Sequence, residues 1–247
     1  MYMISQRKQI NNLIKQIQKE LTKNADKHYK ISTNKFFKEP IQLYGVKTPV
    51  VRKIANKYYK DIKHLSKNEI FDLAEALYKN NFHEEAIIAT QWISKISDKY
   101  QEDDFRTFES IIKNYLDNWA KIDDFCTRVM NKFLLRFPHK VNAIKLWTKS
   151  NNLWVRRASA VSLITSSQSF YGSEKFIDQS LDIAKLLLTD SEDLVQKGYG
   201  WLLKAAAETN QQKVFNFVMK YKDRMPRTAL RYAIEKMPKE LKQKAMK

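Results

Sequence analysis

Trp119 and Asp123 stand four residues apart, a spacing that on a helix puts an indole and a carboxylate on one face, one turn from each other. A carboxylate beside an aromatic wall can stabilise a cation. The pair also has an ordinary use, because an Asp early in a helix complements the macrodipole and a Trp commonly packs in a core. Asp124 is the rival carboxylate; it projects about 100° away, so only one of the two shares the face of Trp119.

A second stripe runs through Lys197, Trp201 and Lys204, at i, i+4 and i+7 of one helix. Gly198 and Gly200 interrupt that helix, at about 1 kcal/mol each relative to Ala. Such glycines need a reason, either close helix packing or the approach of a ligand backbone. Arg156 and Arg157 follow Trp154 near a helix start, where a cation opposes the positive end of the dipole, which favours an external anion or an adjacent carboxylate over a purely solvated role. Arg227 and Arg231 lie on a later helix. Cations interleaved with aromatics on neighbouring helices suit a phosphate backbone and the faces of its sugars.

Elements that position these residues are legible from periodicity. Apolar residues recur at three and four residue steps, with no sustained period-two alternation, which predicts an all-α chain. Thr48-Pro49, the capping box Ser66/Glu69, Pro138, Asn210 and Pro226 mark helix starts. Helices are expected over 4–24, 27–38, 48–60, 66–80, 82–96, 101–117, 119–136, 139–149, 152–165, 174–188, 191–208, 211–221 and 226–245. From residue 66 they pair with a period of about 35–40 residues, a helical-repeat rhythm. An α-α superhelix of HEAT-like repeats over 1–247, a single domain, is expected, its second helices lining a basic concave groove; a globular helical bundle is the alternative. One irregular stretch, 165–173, reads as a surface loop.

Composition narrows the function. The chain of 247 residues carries 45 Lys and Arg against 27 Asp and Glu, a net charge of +18, and is 43% hydrophobic. That is enough apolar material for a continuous core, and the charge points to a polyanionic partner, nucleic acid ahead of an anionic membrane surface, with a merely basic solvated surface as the alternative. Four glycines are too few for a dinucleotide fingerprint or a phosphate loop. A lone Cys126 and four unclustered histidines offer neither a disulfide nor zinc spacing, so no metal or cofactor is expected. The amphipathic N-terminus lacks a signal-peptide core and no run is long enough to span a membrane, which predicts a cytoplasmic protein without membrane attachment.

The segments LYGVKTPVVRKIA (43–55), NWAKIDD (118–124), LWVRRASAV (153–161) and VQKGYGWLLK (195–204) resemble the signature segments of the AlkD-like DNA alkylation repair proteins, in order and spacing. These are HEAT-like-repeat glycosylases that excise cationic alkylpurines, chiefly 3-methyladenine and 7-methylguanine. The resemblance spans almost the whole chain; only the 165–173 connector looks longer. It implies that Asp123 is the catalytic carboxylate, that Trp119 and Trp201 pack against the deoxyribose, and that Phe36 lies near the lesion. Arg157 would hold a backbone phosphate. Lys204 stands where the family places a second DNA-binding arginine, so charge is kept and the bidentate fork is lost.

With Arg156, Lys197, Arg227 and Arg231 these make the expected backbone contacts to duplex DNA containing alkylated purines, bound by a monomer. The implied chemistry is hydrolysis of an N-glycosidic bond in base excision repair, without flipping the base into a pocket. An alkylated ring nitrogen leaves the base cationic, so it departs neutral without being protonated, and one carboxylate suffices where glycosidases ordinarily use two. A non-catalytic relative that binds damaged or branched DNA is the alternative. A third reading, a protein-interaction scaffold, leaves the carboxylate and the charge without a use.

Overall fold

The computed structural model describes residues 2–164 and 176–247, so the 165–173 connector lies outside the described residues. Among those residues the chain is all-helical, with no strand, as the periodicity predicts. No helix among them is long and apolar enough to cross a membrane, and no group of three or more His, Cys, Asp or Glu is placed to hold a metal ion. Contacts divide the chain into two compact units, Met1–Gln101 and Glu102–Lys247.

The N-terminal unit contains α1 (Tyr2–Lys23), α2 (Lys27–Asn34), α3 (Thr48–Ile62), α4 (Lys67–Lys79) and α5 (His83–Lys95). The Ser66/Glu69 capping box forms as read, with both reciprocal hydrogen bonds present, and opens α4. Helix α5 packs on both α3 and α4, and α1 on α3. Helix α2 differs from the rest because none of its residues is buried.

The extended stretch before α3 is anchored on two buried acids at the first turn of α5, Glu84 and Glu85. Glu84 accepts three backbone N–H bonds, from Tyr44 at 3.0 Å, Gly45 at 2.8 Å and Val46 at 2.9 Å. Its neighbour Glu85 accepts from the Tyr44 hydroxyl at 2.6 Å and the Asn80 amide at 2.6 Å. Burial and the Glu85 carboxylate together hold the Tyr44 phenol far above its ordinary pKa. Gly45 has φ +98°, and a Cβ there would stand 2.6 Å from the Asp26 carbonyl oxygen. Thus the L-Y-G-V signature is a backbone feature. Its glycine permits the turn and its amides satisfy a buried charge.

In the C-terminal unit, α7 (Trp119–Phe125), α10 (Leu153–Val161), α12 (Asp193–Ala206) and α14 (Arg227–Ile234) pack each against the next in one layer. Helices α6 (Asp104–Tyr115), α9 (Val141–Leu146), α11 (Ile177–Leu186) and α13 (Gln211–Tyr221) alternate with them in the chain, which is the paired rhythm expected of a helical repeat. Polar bridges join these alternating helices. The Trp147 indole, just after α9, donates to Glu109 of α6 at 2.7 Å; Lys145 meets Asp182 at 2.6 Å and Lys213 meets Asp178 at 2.6 Å. Apolar residues such as Phe108, Phe125 and Phe133 fill the interior, edge to face at centroid separations of 5.9 and 5.5 Å.

Two expected helices are interrupted. The one at 226–245 is broken before Pro238, giving α14 and a separate α15 (Lys239–Met246), because proline cannot donate to the preceding turn. The one at 119–136 contains a π-helical turn, Cys126–Met130, between α7 and α8 (Asn131–Arg136). Asn131 N–H reaches the Cys126 carbonyl across that wide turn. An added residue rotates the downstream helix by about 100°, so α8 can turn Phe133 and Leu134 into the core while α7 keeps the facing its own partners require.

The N-terminal anchor leads to two stability outcomes. Glu84→Ala strands three amides and should lower unfolding free energy by about 3 kcal/mol or more, read as a shifted urea midpoint. Gly45→Ala should destabilise as well, since its Cβ meets a backbone carbonyl that cannot move independently. A wild-type midpoint for both variants would mean the signature segment is not held by α5.

Candidate functional site

Asp123 lies in the last turn of α7, one turn after Trp119, and both are half-buried. Asn118 caps the helix through its side chain, accepting from Lys121 N–H at 3.0 Å, which fixes where Trp119 begins the first turn. After Asp123 the π turn starts, and the Thr127 hydroxyl donates to the Asp123 carbonyl at 2.7 Å. The backbone around the carboxylate is therefore held from both sides.

Across from α7, Arg157 of α10 meets Asp123 in a fork. Its Nε donates to Oδ1 at 2.8 Å and its Nη2 to Oδ2 at 2.7 Å, while Nη1 donates to the Leu194 carbonyl in α12. Three consecutive helices of the layer thus converge on one guanidinium. The Arg157 side chain is 6% exposed and that of Asp123 17%, so the carboxylate is the more reachable half of the pair. A fork occupies one lone-pair position on each oxygen and leaves the others able to face a ligand. Asp124 is occupied differently: Arg128, one turn on in the same chain segment, donates to it at 2.7 Å. The two adjacent acids serve different faces, as the helical geometry requires.

Neither glycine of α12 faces a void. A Cβ at Gly198 would stand 3.3 Å from Arg157 Cγ and 3.5 Å from its Nη1, so this glycine makes room for the guanidinium arm. At Gly200 a Cβ would stand 2.7 Å from Tyr232 Cβ and 2.9 Å from the Ala229 carbonyl oxygen, which is the close approach of α14. Helix packing supplies the reason for both. Trp201, half-buried, follows Gly198 by three residues and so lies on the same side of α12, one turn beyond the point where Arg157 docks.

The other cations expected to contact a DNA backbone are engaged more than the sequence suggested. Arg156 forks onto Asp190 at 2.6 and 3.2 Å, and its Nη1 donates to the Ser150 carbonyl at 2.8 Å, pinning the start of α10 to the turn before α12. Both arginines at the α10 start therefore find the adjacent carboxylate, not an open face. Lys197 meets Asp193 at 3.2 Å within α12, and Lys204 meets Glu235 at 3.1 Å. Arg227 and Arg231 are exposed on α14. Phe36, just past α2 in the N-terminal unit, is 76% exposed.

Sequence reasoning overlooked the acids that take up these cations. Asp193 was legible as an i, i+4 partner of Lys197. Asp190 and Glu235 carried no local signal, because they pair across 34 and 31 residues.

Substituting the two glycines should separate their roles. Gly200→Ala is expected to lower the melting temperature, because the new methyl group meets a helix backbone and overpacking costs about 1–3 kcal/mol. Gly198→Ala meets the held Arg157 arm at 3.3 Å, not a helix backbone, and gains helix propensity, so its loss of melting temperature should be clearly smaller than that of Gly200→Ala. Equal losses would show that the two glycines answer to the same contact.

The family model for DNA alkylation repair enzymes matches residues 17–237 of this chain. Among solved structures, a predicted DNA alkylation repair enzyme from Enterococcus faecalis is similar, with a TM-score of 0.75 at 17% sequence identity, over 87% of this chain and 98% of that one. At that identity the likeness speaks for the fold. No curated protein matches. The matched residues include all four signature segments together with α7, α10, α12 and α14, and the chain belongs to the DNA alkylation repair enzyme family.

Proposed function

We propose that this protein is a DNA glycosylase that removes cationic N3- and N7-alkylated purines, such as 3-methyladenine and 7-methylguanine, from duplex DNA. The observation that carries this reading is the Asp123 carboxylate, oriented by the buried Arg157 fork yet itself partly open, one turn from Trp119. Family membership supplies the damage class.

In this mechanism the bond between C1′ and the base nitrogen breaks, and the electron pair leaves with the base. Because the alkylated base starts as a cation, it departs neutral and needs no acid. Positive charge then develops on the sugar, and Asp123 stabilises it while positioning the water that adds to C1′, leaving an abasic site and releasing a proton. Trp119 and Trp201 pack against the deoxyribose and offer their π faces to the same charge. Arg157 acts by holding Asp123, in place of the phosphate contact first expected of it, since its donors face the carboxylate and Leu194. Phosphate contacts fall instead to Lys197, Lys204, Arg227 and Arg231, with Arg156 fixing the loop beside them. Phe36 is offered to the duplex as an exposed aromatic.

The fork also favours a second reading, a non-catalytic protein that binds damaged or branched DNA, because a carboxylate matched by an arginine is a sound structural pair. One assay separates them. Duplex containing 7-methylguanine should lose free base to the wild-type protein, and Asp123→Asn should slow release by at least about 10²-fold with duplex affinity nearly unchanged. Arg157→Gln should also slow release, through a carboxylate no longer held. Binding without release by the wild type establishes the second reading. Affinity that does not fall with added salt rules out phosphate-led binding in either.

A further inference from the structure

Lys204 belongs to the stripe of α12 that contains Lys197 and Trp201, and its ammonium is caught between two groups from the α14 end of the layer. Nζ lies 5.5 Å over the Tyr232 ring centroid and 3.1 Å from Glu235 Oε2. The Tyr232 platform cannot drift away, because its Cβ occupies the space that Gly200 leaves vacant. Glu235 is different. It follows the last residue of α14, and its side chain is 54% exposed while that of Lys204 is 15% exposed. One partner is built into the helix interface and the other is free to swing into solvent.

The alternative carboxylate for Lys204 would be Glu208, one turn further along, but Glu208 is held by Lys236. Two antiparallel charge pairs, Lys204 with Glu235 and Lys236 with Glu208, therefore close the same edge of the α12 and α14 interface. A carboxylate oxygen and a phosphate oxygen make the same demand on an ammonium group, a charge-assisted hydrogen bond of similar length.

We propose that Glu235 is an internal phosphate surrogate: in the free protein its carboxylate sits at Lys204 where a DNA phosphate oxygen sits in the complex, so that binding exchanges one anion for the other. This rests on the reading that the α12 stripe faces DNA. The exchange leaves Lys204 on its Tyr232 platform and moves only the exposed acid. Its consequence is a lowered affinity for undamaged duplex, because each phosphate at Lys204 must displace an anion already present. A protein that must sample long stretches of intact DNA gains faster release from it.

The test is duplex affinity by fluorescence anisotropy, using a short labelled duplex without a lesion, for the wild type, E235Q, K204Q, the double variant, and E240Q as a control for the same loss of charge on an exposed site. E235Q is expected to tighten binding by about three-fold or more, in the range of one surface charge pair, and E240Q by clearly less. In the K204Q background the E235Q gain should largely vanish. Equal gains from E235Q and E240Q, or a full E235Q gain without Lys204, would overturn the surrogate role and reduce it to bulk charge. Should K204Q bind as the wild type does, Lys204 makes no phosphate contact and the inference fails, while base release by the wild type still decides the glycosylase reading. Absence of any salt-sensitive duplex binding by the wild type defeats both.

Discussion

Everything at the candidate site depends on one fork, the two parallel hydrogen bonds from Arg157 to Asp123. It joins α7 to α10, and the third donor carries the connection on to the Leu194 carbonyl of α12. Burying an arginine costs several kcal/mol unless each donor finds an acceptor, so the guanidinium dictates where these helices stand relative to one another. Gly198 is part of the same constraint, since a side chain there would press on the arm that reaches Asp123. The carboxylate is the exposed end of a network whose rigid part lies beneath it.

A net charge of +18 suggests a surface crowded with free cations. Around the candidate site the arrangement is more selective. Arg156, Arg157, Lys197 and Lys204 each meet a carboxylate, and these contacts fall into two kinds. The arginine forks are largely buried and hold helices and loops in place. The lysine pairs are more exposed at the acid, so their geometry permits exchange with another anion. Arginine's planar, multidonor head suits the first use and the compact ammonium of lysine the second.

The N-terminal unit uses buried charge in a comparable way. Glu84 takes three consecutive backbone amides, and Glu85 gathers a phenol and an amide, so a stretch without regular structure is fixed as firmly as a helix. Such an arrangement accounts for the signature around Gly45 without assigning it any chemistry. In both units a distinctive sequence segment is distinctive because backbone or glycine must accommodate a buried ionic group.

Local signals in the sequence determined the all-helical class, the Ser66/Glu69 cap, the shared face of Trp119 and Asp123, and that Gly198 and Gly200 must admit a close neighbour, whether helix or ligand, which the structure resolves as helix packing. Each of these depends on residues within a turn or two, where 3.6-residue periodicity and capping chemistry leave few choices. The π turn after Asp123 and the break before Pro238 were less legible, the first because one inserted residue leaves the apolar pattern nearly intact. Only the tertiary structure decided which acid each cation meets: Asp123 for Arg157, Asp190 for Arg156, Glu235 for Lys204. Those partners lie 31 to 34 residues apart, about one repeat, and the packing of one helix pair on the next brings them together. A sequence can state that a charge faces a neighbouring repeat, but the side chain that answers it depends on the angle and register at which the helices pack.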